Sequence, residues 1–154
     1  MEQPNLHILP YTQEQIGDVL DFERRLREEE DFWGWEIDEA YTAAVRQSFR
    51  DPRFAQSTSL LAYLDGKVVG RIDSTLICSH FDGSVKAYLD WICVLKSQRH
   101  KGIAQALLSE LRYQLKKAGA GALIGLIAGN PEAQRFYRSL ENAIIRDEGI
   151  WIDL

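Results

Sequence analysis

The basic stretch Arg99-His100-Lys101-Gly102 stands between an apolar run typical of a strand, YLDWICVL, and a run with helical spacing. The first N–H groups of a helix lack partners within the helix, and the helix dipole adds partial positive charge there. A glycine allows the backbone to approach a ligand closely. The loop is therefore suited to bind a phosphate or pyrophosphate. Its spacing fits neither GxxxxGK[ST] nor GxGxxG, which argues against ATP and nicotinamide cofactors.

Two aspartates in apolar strand-like segments are candidates for a general base. Asp90 lies four residues before Val94, and strand alternation would put both side chains on one face. If Asp90 is partly desolvated there, its pKa would rise into a useful range. The alternative is an aspartate that is exposed at an edge or paired in a salt bridge. Asp73, in GRIDSTLI, is the second candidate for the base, and a water relay without any single base is the third possibility.

Residues 28–39 contain seven carboxylates and the two tryptophans Trp33 and Trp35. Such a segment would favour a cationic ligand, since tryptophan rings stack on cations. The alternative is that the carboxylates form a solvated face and that the tryptophans fill the core.

The elements that would position these residues follow from hydrophobic periodicity and turn signals. Predicted strands are 6–9, 57–64, 67–78, 85–95, 122–128, 143–146 and 150–153, and predicted helices are 16–26, 38–49, 102–117 and 130–140. The Asp65-Gly66 pair predicts a hairpin turn. Two strands that flank a single helix at 102–117 indicate a parallel βαβ unit. The order β-α-α-β-β-β-α-β-α-β-β therefore predicts a mixed α/β sheet.

Chain length, net charge and cysteine positions exclude several classes of protein. The chain of 154 residues predicts a single domain over 1–154, and the net charge of −5 argues against a nucleic-acid partner. Cys78 and Cys93 lie in apolar runs without metal-ligand spacing, which predicts free buried thiols and no metal site. We find neither a signal-peptide pattern nor a long apolar stretch, so a cytoplasmic protein without a membrane partner is expected.

Two motifs carry a resemblance to a known family. Arg99-His100-Lys101-Gly102-Ile103-Ala104 fits R/Q-x-x-G-x-G/A and resembles the acetyl-CoA signature of the GNAT N-acetyltransferase superfamily. NPEAQRFY, residues 130–137, resembles the second signature of that family, and residues 70–95 are similar to aminoglycoside 6′-N-acetyltransferases. Ala104 stands where many members have glycine. SLENAII follows the Phe-Tyr pair where members usually show Gly-Phe, which puts the geometry of the last hairpin in doubt.

The resemblance implies a GNAT-like sheet with a splayed parallel pair, between whose strands acetyl-CoA would bind. The implied cofactor-binding residues are Ile92, Cys93, Val94, Arg99, His100, Lys101, Gly102, Ile103, Ala104, Asn130 and Tyr137. The N–H groups of residues 99–104 would hold the pyrophosphate, and the N–H of Val94 would polarise the acetyl carbonyl. Tyr137 matches the family's general acid, which protonates the departing thiolate. The alternative is that Phe136 and Tyr137 only pack their helix on the sheet.

The resemblance also implies direct transfer of an acetyl group to a primary amine, with the helix 1–helix 2 region lining the acceptor site. The implied acceptor-binding residues are Glu30, Trp33, Trp35, Asp73 and Asp90. A small cationic polyamine or amino sugar is the first acceptor class, and a protein lysine or N-terminus is the second. A third reading is a relative that binds CoA without turnover, which would have no need of Tyr137. The chain would act as a monomer or homodimer.

Overall fold

Five strands form one sheet in the order β1-β2-β3-β4-β5 in a computed structural model of the chain, which describes residues 5–30 and 35–154. The strands are β1 (Leu6–Pro10), β2 (Ser57–Leu64), β3 (Lys67–Cys78), β4 (Val85–Val94) and β5 (Ala122–Gly125). The helices are α1 (Ile16–Glu29), α2 (Glu39–Ser48), α3 (Ile103–Lys117) and α4 (Pro131–Arg138). The predicted mixed α/β architecture is therefore confirmed.

The sheet is antiparallel from β1 to β4 and parallel at its last pair. Successive strands from β1 to β4 pair antiparallel. The N–H of Gly121, just before β5, donates to the carbonyl of Val85 at the start of β4, with an N–O distance of 2.9 Å. Both strands therefore start at the same end of the sheet, as the βαβ pattern predicts. Described residues up to Ile124 form one compact unit, and residues 125–154 form a second unit that contains α4.

Local sequence signals account for the ends of several elements. Thr12 and Gln15 form a reciprocal capping box ahead of α1. Asp65 and Gly66 have φ angles of 49° and 78°, both in the left-handed region that a two-residue hairpin turn requires. Asp38 caps α2 through a bond from the N–H of Tyr41 to its carboxylate.

α1 and α3 pack on opposite faces of the sheet. This follows from β3, where successive residues point to opposite faces and neighbouring residues contact different helices. Arg71 pairs with Glu23 of α1, whereas Gly70 faces α3. A Cβ at Gly70 would lie 3.1 Å from Leu107 Cδ1 and 3.2 Å from Ile103 Cγ2. The glycine thus lets the first turns of α3 approach β3 closely, which also places the loop before α3 against the sheet.

The predicted final hairpin, with strands at 143–146 and 150–153, is wrong. Residues 139–154, all of which the structure describes, contain no strand. Asn142 and Asp147 have φ angles of 61° and 62° on either side of the first predicted strand, so the chain leaves the extended conformation at both ends. A short hairpin without further strands is marginal by itself. β5 is also shorter than predicted, since it ends at Gly125.

The helices that the structure describes include none that is both long enough and apolar enough to cross a membrane.

Candidate active site

A β-bulge at Asp90 changes which face this carboxylate occupies. Asp73 of β3 pairs with Trp91, but the next residue, Ser74, pairs with Leu89, so Asp90 is the extra residue of β4. The predicted alternation that would put Asp90 and Val94 on one face is therefore wrong. Asp90 is exposed and lines a cleft together with Trp91, whose partner Asp73 lies on that same face.

This cleft has a volume of about 1110 Å³ and is lined by Glu23 of α1, by α2, by the segment 49–55, and by β2, β3 and β4. Its aromatic lining includes Tyr11, Trp35, Tyr41, Tyr88 and Trp91. The Trp35 and Trp91 rings meet edge to face with centroids 6.4 Å apart. The structure thus brings together the predicted residues Trp35, Asp73 and Asp90 in one cavity. Trp33, the other tryptophan predicted to bind the acceptor, lies outside the described residues.

A buried ionic cluster forms the floor of the cleft. Arg71 Nε lies 2.7 Å from Asp73 Oδ2, and Arg71 Nη1 lies 3.4 Å from Glu23 Oε1. The hydroxyl of Tyr41 donates to Glu23 Oε1 at 2.8 Å, and the hydroxyl of Ser59 donates to Asp73 Oδ1 at 2.5 Å. Two carboxylates therefore share one guanidinium, which gives the ionised cluster a net negative charge.

Burial sets the protonation behaviour of this cluster. Glu23 is 1% exposed, and burial raises its pKa above the ordinary value, although the Tyr41 hydrogen bond and the Arg71 charge oppose the shift. Burial also raises the pKa of Tyr11 to about 12, so this phenol stays neutral near pH 7. The guanidinium of Arg71 lies 4.8 Å from the centroid of the Tyr11 ring, which holds both side chains in place.

Sequence analysis missed Glu23 and Arg71 as site residues. Glu23 occupies the apolar stripe of α1 next to Phe22, and a carboxylate at such a position requires a buried partner. Arg71 alternates with apolar residues in β3 in the same way. The position of each charged residue in an apolar pattern indicates a buried ion pair. Neither position identifies which residue on the other element is the partner.

The loop before α3 contains residues with left-handed backbone angles. Gly102 precedes the first residue of α3 and has φ 78° and ψ 5°, and His100 has φ 61°. No side chain of the described residues caps this end of α3. Left-handed residues in a turn can make successive N–H groups converge on an anion. The backbone around Gly102 therefore has the character that the sequence predicted for an anion site.

The side chains flanking this loop are held by the end of α1. Arg99 Nη1 and Nη2 each lie 2.9 Å from a different carboxylate oxygen of Glu30. Glu29 accepts from both the N–H and the hydroxyl of Ser97, at 2.9 and 2.7 Å. The carboxylate of Glu30 is therefore engaged by Arg99 in the described residues, and its role in acceptor binding stays a prediction.

The end of β4 exposes backbone donors on the side away from β3. The N–H of Leu95 donates to the carbonyl of Val69 at 2.9 Å. Because hydrogen bonding alternates along an antiparallel strand, Ile92 and Val94 direct their N–H groups toward the opposite edge. β5 starts beside Val85 and has only four residues against the ten of β4, so it ends before this part of β4. Cys93 lies between them, buried, and burial raises its thiol pKa to about 12.

Asn130 and Tyr137 belong to the second compact unit. The Asn130 side chain accepts from the N–H of Ala133 at 2.9 Å, and Pro131 occupies the first turn of α4, as predicted. The Phe136 and Tyr137 rings meet at a centroid distance of 5.3 Å. Tyr137 is half-buried. Its role as general acid and the contact of Asn130 with the cofactor stay predictions.

Within residues 5–30 and 35–154, no group of three or more His, Cys, Asp or Glu side chains is arranged to hold a metal ion.

The fold and the signature loop define the class of protein. The sequence model described as the acetyltransferase (GNAT) family matches residues 10–141. The chain therefore belongs to the GNAT acetyltransferase family and is an acetyltransferase. No curated protein matches the chain in a sequence search.

Solved structures that resemble the chain are distant in sequence and close in fold. An aminoglycoside acetyltransferase from an uncultured soil metagenomic sample, in complex with sisomicin, is 15% identical, with 97% and 96% of the two chains covered and a TM-score of 0.80. An aminoglycoside N-acetyltransferase in complex with CoA is 18% identical, with 99% and 97% covered and a TM-score of 0.79. The ribosomal-protein-alanine N-acetyltransferase from Brucella melitensis biovar Abortus 2308 is 18% identical, with 97% of each chain covered and a TM-score of 0.77.

Proposed function

We propose that this enzyme transfers the acetyl group of acetyl-CoA directly to a primary amine of a small cationic acceptor, such as a polyamine or an amino sugar. The observation that carries the proposal is the cleft at the β4 bulge, where Asp90, Asp73 and Glu23 lie among aromatic walls. Carboxylates attract ammonium groups, and aromatic faces stack on cations and sugar rings. The fold similarity to two aminoglycoside acetyltransferases supports the same acceptor class.

In this proposal the cofactor lies along the end of β4. The predicted range 99–104 is too long at its start, because the N–H of Arg99 donates to the carbonyl of Lys96 at 3.3 Å. The N–H groups of residues 101–104 at the start of α3 would receive the pyrophosphate. Ile92 and Val94 present backbone N–H groups away from β3, which suits a pantetheine arm and the polarisation of an acetyl carbonyl at Val94. Asn130 is proposed as a further cofactor contact.

Two proton transfers accompany the acyl transfer. The acceptor ammonium must lose a proton before its nitrogen attacks, and the CoA thiolate must gain one as it leaves. Asp90 is exposed and not partly buried as expected from the sequence, yet it lines the cleft, where an acceptor ammonium can reach it. Both oxygens of Asp73 are engaged by Arg71 and Ser59, so Asp90 is the favoured base. A relay through water is the alternative. Tyr137 is the proposed acid.

The acceptor class is tested by measuring CoA release from acetyl-CoA with polyamines, aminoglycosides, amino acids and peptides. We expect turnover with a polyamine or an aminoglycoside. Turnover with peptides alone would favour a protein N-terminus or lysine, a class to which the similarity to a ribosomal-protein-alanine acetyltransferase also points. CoA binding without turnover on any amine would favour a protein that binds CoA without catalysing acetyl transfer.

The acid is tested by Tyr137→Phe, assayed with the best acceptor at saturating acetyl-CoA. Loss of a general acid lowers kcat by about 100-fold or more, while the dissociation constant for CoA stays within about twofold. Tyr113→Phe, on the exposed surface of α3, is the matched control and should retain activity. An unchanged kcat in Tyr137→Phe would rule out the acid role without affecting the acceptor assignment.

A further inference from the structure

Two consecutive glutamates at the end of α1 contact the cofactor loop. Glu29, the last residue of α1, accepts two hydrogen bonds from Ser97, and Glu30 forms a two-point ion pair with Arg99. These residues are 68 and 69 positions apart in the sequence. The end of α1 and the loop between β4 and α3 are thus fixed to one another by four short polar contacts.

The Arg99 pair also reaches the end of β4. Arg99 Nε donates to the carbonyl of Val94 at 3.3 Å, while its two Nη atoms contact the carboxylate of Glu30. The side chains of the pair are 24% and 12% exposed, so solvent screens them less than a surface pair. Planar two-point pairing of arginine with a carboxylate fixes orientation as well as distance. Glu30 thereby holds the start of the loop against the last residue of β4.

The loop needs such support because its backbone is strained. His100 is a non-glycine residue at φ 61°, and Gly102 has φ 78°. A left-handed conformation at a residue with a Cβ is unfavourable, so the surrounding contacts must maintain it in the absence of ligand. Contacts that keep a binding loop in its bound conformation raise affinity by reducing the ordering cost of binding.

We propose that Glu29 and Glu30 are positioning residues for the cofactor loop, which preorganise residues 97–102 for the CoA pyrophosphate. The inference rests on the proposed use of this loop for acetyl-CoA. It assigns Glu29 and Glu30, at the start of the acidic segment 28–39, to cofactor binding rather than to acceptor recognition. It also makes Arg99 a structural partner of Glu30, while the backbone binds the phosphate oxygens.

The experiment measures the dissociation constant of CoA by calorimetry for Glu29→Gln, Glu30→Gln and the control Glu28→Gln. Glu28 is exposed on the same helix, so the control makes the same charge change without touching the loop contacts described above. We expect CoA to bind about tenfold more weakly to Glu30→Gln, the effect of losing a charged hydrogen-bonded pair, and Glu28→Gln to match the wild type. The KM for the acceptor should stay unchanged in all three variants.

The direction of the change in CoA affinity distinguishes a positioning role of Glu30 from direct repulsion between its carboxylate and the CoA phosphates. Removing a carboxylate near an anion site would by itself tighten CoA binding. Tighter or unchanged binding in Glu30→Gln, with a wild-type melting temperature, would therefore overturn the inference. Ser97→Ala, which removes one bond to Glu29, gives an independent measurement if Glu30→Gln does not fold. Failure of the wild-type protein to bind CoA would instead contradict the proposed function.

Discussion

At the scale of single residues, the proposed anion site depends on backbone geometry more than on basic side chains. Arg99 is engaged by Glu30, and Lys101 Nζ donates to Gln98 Oε1 at 2.8 Å. Gly102 contributes no side chain, yet its φ of 78° directs the chain into α3 and leaves the first N–H groups of that helix available. Gly102, which has no side chain, is therefore the loop residue whose substitution we expect to weaken CoA binding most.

Gly102→Ala tests this view. A Cβ at Gly102 would meet no atom within 4 Å, so the cost comes from the left-handed backbone alone, about 1–2 kcal/mol. Gly66→Ala is the matched control, because Gly66 has the same φ of 78° and equally open surroundings in the β2–β3 turn. We expect both variants to lose similar stability in denaturant unfolding, and only Gly102→Ala to bind CoA more weakly. Equal CoA affinities in the two variants would contradict the assignment of the loop.

At the scale of elements, α1 connects the cleft with the cofactor loop. Its buried face supplies Glu23 to the floor of the cleft, and its last residues hold Ser97 and Arg99. Between these positions, Arg27 Nη2 donates to the carbonyl of Trp35 at 2.6 Å and its guanidinium lies 5.1 Å from the ring centroid. The end of one helix thus uses different side chains to orient two features. These are a wall of the cleft and the loop that is proposed to bind CoA.

Arg27→Gln should separate these two roles. The variant loses the hydrogen bond and the cation–π contact to Trp35, each worth about 0.5–1.5 kcal/mol, so the KM for the acceptor should rise about tenfold. The KM for acetyl-CoA should stay unchanged, because Glu29 and Glu30 retain their contacts. Arg24→Gln, at an exposed position of the same helix, is the control. A rise in both KM values would show that the helix end acts as a single unit.

At the scale of the whole molecule, the buried carboxylate of Glu23 makes stability depend on pH. Charges that leave water lose solvation, and their mutual attraction recovers only part of it. Burial accordingly raises the pKa of Glu23 above the ordinary value of 4.5. Folding therefore favours the protonated form of Glu23, and stability falls as the pH rises above the pKa of the unfolded residue.

Glu23→Gln should remove this pH dependence. Below about pH 4.5, Glu23 is protonated in both the folded and the unfolded state, so the wild type and the variant should differ least. As the pH rises toward the raised pKa of folded Glu23, the wild type should lose stability relative to the variant. Denaturant unfolding of both proteins from pH 4 to pH 7 measures the difference, with Glu28→Gln as the control. A difference that stays constant or reverses with pH would contradict the shift.

Local patterns predicted most of the elements well. β2 and β3 were predicted with their exact bounds, and α3 to within one residue, because alternation, the Asp65-Gly66 turn and the glycines around α3 all act over a few residues. The final hairpin failed because its strands depend on a partner edge that no local pattern specifies. The loop signature and the Asn130-Pro131 helix start were visible for the same local reason as the successful strands.

The types of residue in the candidate site were predictable from the sequence. Which of these residues contact one another was not. The sequence by itself determined that a strand is followed by a glycine-containing loop and a helix, an arrangement suited to an anion, and that the chain resembles the GNAT family. Only the tertiary structure showed the bulge that turns Asp90 into the cleft, the Glu23–Arg71–Asp73 floor, and the pairing of Glu30 with Arg99. These features join residues up to 69 positions apart, and such pairings are decided by which elements pack together rather than by local spacing.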